Sequence, residues 1–441
     1  MAVESAVGAP ATSAAAAWRY FVGASPDDPR YDRTLSLLAR DAEALDLSWA
    51  ASLWYLEVAR ARRDPELVPE ALRGLRDIIE GGPHDEDTLV QGFLATTELS
   101  GLPPDLQGFV DFRRGLHNAR QRLDDWADAR FADLPEASAW RRRAEHVRAV
   151  RKVAARDLTA ATDDLDALAK RDDLPPDLAI DVHRARARLA MEAGEYDAAL
   201  SHYERLRQLA PGDPELLLEM AWAQYHRGDT RRTLGLLLAL DAPVYQDLIA
   251  PERFLLEALA LRRLCQFGPA RRAAVRLRAR HGDALDDLYA GVPLARSAAL
   301  RGAARRRDAV AGLSRFVDRL AREKAHVDDL GDRIGPELSP HLRALYDRGL
   351  TEGRRRLEAA LAHELDQVAD ELLAAEEGVR LILHELSVAL LRGRRRPEGP
   401  AELAPPAVGA GGDALFFRFT GEFWTDELDD LLVVAEDRCI D

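Results

Sequence analysis

Two glycines, Gly194 and Gly228, stand 34 residues apart, each between two stretches whose apolar residues recur with the period of an α-helix. A fixed spacing of that size between helix–turn–helix units means that no unit buries its apolar face alone, so neighbours must stack to share a core. Taking Ile180 as the first position of a 34-residue unit puts Ala187 on the first helix, Gly194 at the turn and Tyr196 just after it. Ala199, Tyr203 and Pro211 follow on the second helix and at its close. The next unit, from Pro214, supplies Ala221, Gly228, Thr233, Leu237 and Leu240 at the matching places. A third starts at Pro251, after a connection three residues longer, and carries Ala258, Phe267, Ala270 and Leu277. Small residues belong where the two helices of a unit cross closely, and glycine ends the first helix in a left-handed turn. The competing reading is an irregular helical array without true repeats.

Strand signals are nearly absent elsewhere, and helical periodicity runs through most of the chain. Residues 1–30 are expected to be a disordered lead, and residues 31–135 a set of N-terminal helical repeats with helices near 30–46, 48–63 and 66–80. Residues 136–299 hold the repeats, the best units being 180–213, 214–247 and 251–284. Over 300–392 the pattern becomes that of a long helical hairpin. Its second helix spaces Leu361, Leu365, Val368, Leu372, Ala375, Val379, Ile382, Leu386 and Ala389 alternately four and three apart, the seam of a coiled coil. Two amphipathic helices capping the array would give the same pattern. Residues 393–412 are a flexible linker by composition, and 413–441 a C-terminal tail with a short amphipathic helix from Thr425.

A formal net charge of −15 argues against nucleic acid as partner, because counterion release needs a basic surface. All but three of the 61 basic residues are arginine. No apolar run is long enough to span a membrane. Met1–Trp18 lacks the basic start and apolar core of a signal peptide. Neither His363-Glu364 nor His384-Glu385 has the second histidine of a zinc-protease helix, and nucleophile-elbow, phosphate-loop and CxxC patterns are missing. No catalytic residue, metal or cofactor is therefore expected.

The 34-residue pattern resembles the tetratricopeptide repeat (TPR) family, which implies an all-α, TPR-like solenoid followed by the coiled-coil-like hairpin and the short tail. In that family, set positions of the first helix face a concave surface. Carried over, they place Arg184 and Arg188, then Trp222, Tyr225 and His226, then Arg262 and Arg263 in one groove. The arginines would make a basic trough around the aromatic pair, suited to acidic or C-terminal peptide segments of other proteins. The alternative is that Trp222 and Tyr225 are packed core and the arginines solvated. Leu218-Glu-Met-Ala-Trp222, Cys265-Gln-Phe-Gly-Pro-Ala270 and the ending Phe419-Thr-Gly-Glu-Phe-Trp-Thr-Asp-Glu-Leu428…Cys439 further resemble envelope-associated TPR proteins of bacterial gliding-motility machinery. That resemblance implies a periplasmic or cell-envelope scaffold; without a signal peptide the alternative is a cytoplasmic one.

The resulting expectation is a non-enzymatic scaffold that binds other proteins. A homo-oligomer built through the 361–389 seam and an enzyme with an unrecognised site are the alternatives. From Asp413 onward the tail carries nine acidic and two basic residues and an apolar set that includes Phe423, Trp424 and Leu428. It is expected to fold back on the repeats. In a periplasmic setting Cys265 and Cys439 would then be brought together as the single disulfide. The competing reading is a hook buried in a partner, with both thiols free.

Overall fold

The computed structural model describes residues 10–248, 250–392, 431, 433 and 435–439. Its helices are α1 (Pro10–Gly23), α2 (Tyr31–Ala44), α3 (Ser48–Ala61), α4 (Val68–Gly81), α5 (Pro104–Arg120), α6 (Asp124–Ala132), α7 (Ala139–Ala154) and α8 (Leu158–Ala169). They continue as α9 (Pro176–Ala193), α10 (Tyr196–Leu209), α11 (Pro214–Arg227), α12 (Thr230–Ala239), α13 (Glu252–Arg263), α14 (Phe267–Tyr289), α15 (Ala298–Arg305), α16 (Asp308–Leu330) and α17 (Leu338–Leu391). A π-helical stretch, Glu86–Leu94, lies between α4 and α5. The fold is all-α, with consecutive helices packed as antiparallel pairs. No described helix is long and apolar enough to cross a membrane. Two compact units emerge: residues 1–147 with 304–364, and residues 148–303 with 365–441. The stretch 300–392, read from sequence as a segment of its own, is thus shared between them.

In the first unit, the lead expected to be disordered is helical from Pro10. Its alanines favour helix strongly, and Ala14 and Ala17 are buried. Trp18 anchors the helix with its ring 4.2 Å from His341 and 6.4 Å from Trp54. Glu323, on α16, is 5% exposed and sits at the centre of this unit. It accepts hydrogen bonds from the Trp49 backbone N–H (3.0 Å), the Tyr346 hydroxyl (2.7 Å) and Arg319 Nε (2.9 Å). One carboxylate so ties α3, α16 and the first half of α17. Burial, with Glu323 beside it, pushes the Tyr346 phenol far above its ordinary value. Two glycines one turn apart let α17 come close: a Cβ at Gly349 would lie 2.9 Å from Trp49, and one at Gly353 would lie 3.1 Å from Val317.

The second unit holds the repeats. α9 pairs with α10, α11 with α12 and α13 with α14, and Ala187, Ala199, Ala221, Ala258 and Ala270 are fully buried. The turns inside the first two pairs pass through Gly194 (φ 76°) and Gly228 (φ 96°), both in the left-handed region. The third pair turns through Cys265 (φ 50°), a side chain where the others have none. The longer connection before that pair is pinned by Arg253, 1% exposed, which donates to the Leu237 carbonyl at 2.7 Å and pairs with Asp241 at 2.7 Å. The 361–389 seam is covered within the chain. Leu361, Leu365, Val368, Leu372, Ala375, Val379, Ile382 and Leu386 are all buried without a second copy. A Cβ on Gly378 would stand 2.7 Å from Leu255 of α13. The apolar stripe read from sequence as a seam is thus spent on packing inside one chain.

Across α9 and α10, the Nδ1 atoms of His183 and His202 face each other at 3.0 Å, so a neutral pair shares one proton between them. Burial, then His202 and Arg205, push His183 down to about 4. Burial and Arg186 lower His202, against the pull of Asp166.

Glu323→Ala would leave a buried hydroxyl and a backbone N–H unpaired beside Arg319, and should lower stability by about 3 kcal/mol in urea unfolding. Glu323→Gln, which keeps an acceptor, should cost about 1 kcal/mol. The histidine pair carries its own pH signature. His183 is neutral when folded and protonates from 6.5 downward when unfolded, so the unfolded chain binds more protons between pH 6.5 and about 4. Stability should fall as pH drops through that window, and His183→Gln should flatten the slope of the thermal midpoint against pH there.

Candidate partner-binding face

The seven residues assigned to the groove lie on the first helices of three successive repeats, α9, α11 and α13. Repeat stacking brings them to one side of the second unit, but their charges are not free. Arg184 pairs with Asp213 at 2.5 Å and with Glu215 at 3.4 Å. Arg188 donates to Glu219 through Nε at 2.9 Å and to Glu215 at 2.8 Å. Arg262 pairs with Glu385 of α17 at 2.9 Å. Arg263 lies over the Tyr225 ring, 3.5 Å from its centroid, and donates to the Tyr225 carbonyl. Of the basic trough expected from sequence, Arg184, Arg188 and Arg262 are thus already paired with acids of the chain itself. Asp213 caps α11 and Glu215 stands in its first turn, where helix N-termini favour acids, and both fall within reach of the preceding repeat's arginines.

The aromatic part is assembled. His226 is stacked on Trp222 (centroids 5.7 Å, 25° between planes) and on Tyr196 of the preceding repeat (5.2 Å, 15°). Tyr225 meets Trp222 edge-on at 5.8 Å. Trp222 and Tyr225 are half-buried against the repeat core, while His226 is exposed at the rim. Both earlier readings of the pair hold in part: the inner faces are core and the outer edges are surface. Burial, then Arg263, hold His226 below the ordinary imidazole value, so the ring is neutral near pH 7. Burial also raises the Glu252 carboxyl. Tyr196 was missed as a member; its place two residues after the turn glycine was the available signal.

The third repeat's share of the face is occupied by the chain itself. Residues 371–385 of α17 lie along α13. Gly378 sits against Leu255, Glu385 pairs with Arg262, and Glu376 meets Arg278 at 3.9 Å and the Tyr289 hydroxyl. Arg262 is one of the positions assigned to the concave surface, so the long helix fills there the place a partner was expected to take.

Of the residues assigned to tail docking, Phe423, Trp424 and Leu428 lie outside the described residues. Cys265 and Cys439 are joined, with an S–S distance of 2.17 Å. Around them the tail touches the repeats through main-chain atoms. Val433 N donates to the Arg231 carbonyl at 3.3 Å, and Arg438 N to the Leu264 carbonyl at 3.0 Å. Gln266 Nε2 donates to the Glu436 carbonyl at 2.5 Å. Leu431 packs against the second repeat's core.

Among known proteins, residues 190–250 match the tetratricopeptide repeat family model. No curated protein matches the chain. Two solved structures overlay it loosely. The crystal structure of a Rap protein complexed with competence and sporulation factor is 14% identical, covering 75% of this chain and 99% of that one at a TM-score of 0.33. The crystal structure of the P58(IPK) TPR domain is 15% identical, covering 82% of this chain and 94% of that one at a TM-score of 0.21. Overlays at these scores carry no weight for fold or function. What the match does identify is the repeat itself: residues 190–250, from the end of α9 to the start of the third helix pair, are of the tetratricopeptide type.

Proposed function

We propose that this chain is a non-enzymatic scaffold that holds another protein through the aromatic ledge of its second repeat. The observation that carries the reading is the stack Tyr196–His226–Trp222 with Tyr225 and Arg263 at its edge. Rigid rings with one face packed and one edge exposed supply contact area at little cost in conformational entropy, the usual make-up of interface hot spots. Arg184, Arg188 and Arg262 are spent on the chain's own carboxylates, and Arg263 on the ring and carbonyl of Tyr225. Affinity then comes from ring contacts rather than net charge, and the partner segment is apolar or mixed rather than simply acidic. The setting we propose is the bacterial periplasm or cell envelope, in a complex of the gliding-motility kind that the sequence resembles. The Cys265–Cys439 bond supports that setting, because such bonds persist in oxidising compartments.

Affinity purification of the cross-linked full chain from native cells should recover a partner that is reduced at least ten-fold with His226→Glu, corresponding to about 1.4 kcal/mol or more. His226 is exposed, so the thermal melt should not move. Trp222→Ala should abolish recovery. Equal recovery with both variants would remove the ledge from the function.

A further inference from the structure

In the first two repeats the left-handed residue between the paired helices is glycine and carries nothing. In the third it is Cys265, whose Sγ is bonded to Cys439. The described tail residues cross from one such turn to the next. Val433 bonds to Arg231, just past the turn of the second repeat. Arg438 bonds to Leu264 and Glu436 to Gln266, on either side of Cys265 in the third. On the tail's side every one of these bonds is made by the main chain, and among the described residues Leu431 adds an apolar contact with the repeat core. Main-chain hydrogen bonds of this kind net little against the entropy of ordering a free peptide. The covalent bond supplies the missing hold. It is also reachable, because Cys439 is exposed and Cys265 only half-buried.

We propose that the turn edge of the second and third repeats is a docking site for a peptide segment, that its occupant is the chain's own tail at Val433 and residues 435–439, and that the Cys265–Cys439 bond is a redox latch on it. Oxidised, the edge is filled. A soluble dithiol opens the latch by thiol–disulfide exchange: one thiolate attacks Cys439 Sγ and releases Cys265, and the second sulfur then displaces Cys439. The dithiol leaves as a disulfide, and the chain takes up two electrons and two protons as two thiols. The Arg231 and Leu264 carbonyls and the Gln266 amide then lose their partners in the tail, and the edge is open. This inference does not depend on the aromatic ledge.

Hydrogen exchange of the full chain tests it, with thiol content checked by alkylation and mass. In the oxidised protein the amides of Val433 and Arg438 should be protected. Full reduction, or Cys439→Ser without any reductant, should speed their exchange at least ten-fold, while α9–α12 keep their protection. Unchanged protection after full reduction would overturn the latch, because the tail then holds itself. Protection lost throughout 252–289 as well would overturn it equally, by making the bond a staple of the repeat fold. Free thiols in protein alkylated at lysis would also overturn it.

Discussion

The helices of one repeat can cross at close range only where the residue between them is no larger than alanine. Ala187 and Ala199 in one repeat, Ala221 in the next, and Ala258 and Ala270 in the third meet that demand, and none of them keeps any exposed surface. Close packing makes such a crossing intolerant of added volume, so it fixes both the tilt within a pair and the offset to the next pair. Much of the second unit depends on this geometry. It brings Tyr196 of one repeat into register with His226 of the next, and aligns Asp213 and Glu215 with arginines on α9 of the preceding repeat. It also sets out the row of turns that the tail crosses.

A solenoid of this kind has an inner face that is apolar in part and must be covered or kept for binding. Here the second half of α17 covers the third repeat's portion, with small Gly378 set against Leu255 and an ion pair at Arg262 and Glu385. That ion pair is half-exposed and worth little by itself, so shape and apolar burial hold the helix there. The second repeat's ledge is left as the ring-rich part of the face. One helix therefore limits where on these repeats a partner can bind.

The repeats were legible because their demands are local and periodic: a small residue at each crossing and a left-handed residue at each turn. The seam of α17 was legible as a stripe but not in its destination, since a stripe of leucines reads the same whether it meets another chain or α13. Arg184, Arg188 and Arg262 looked free because their acids lie one repeat away or on α17, and Arg263 because its partner, Tyr225, belongs to the preceding repeat. Arg253 and Glu323 gave no signal at all, as buried charges are recognised only by partners distant in sequence. The lead failed in the other direction. Its alanines and serines resemble a disordered composition, yet Trp18 is enough to dock a helix of that make-up on Trp54 and His341. The ring ledge was half legible, with Trp222, Tyr225 and His226 on one helix face and Tyr196 supplied by the neighbouring repeat.

The central claim is that the third repeat's part of the face is filled by the chain's own long helix. An engineered cross-link between Leu255→Cys and Gly378→Cys tests it directly, in a chain whose native cysteines are replaced by serine. Close approach of these two positions permits a disulfide with little backbone movement. Peptide mapping under non-reducing conditions should recover the 255–378 link in monomeric protein under mild oxidation. Free thiols at both positions, or a link found only between two chains, would contradict the account.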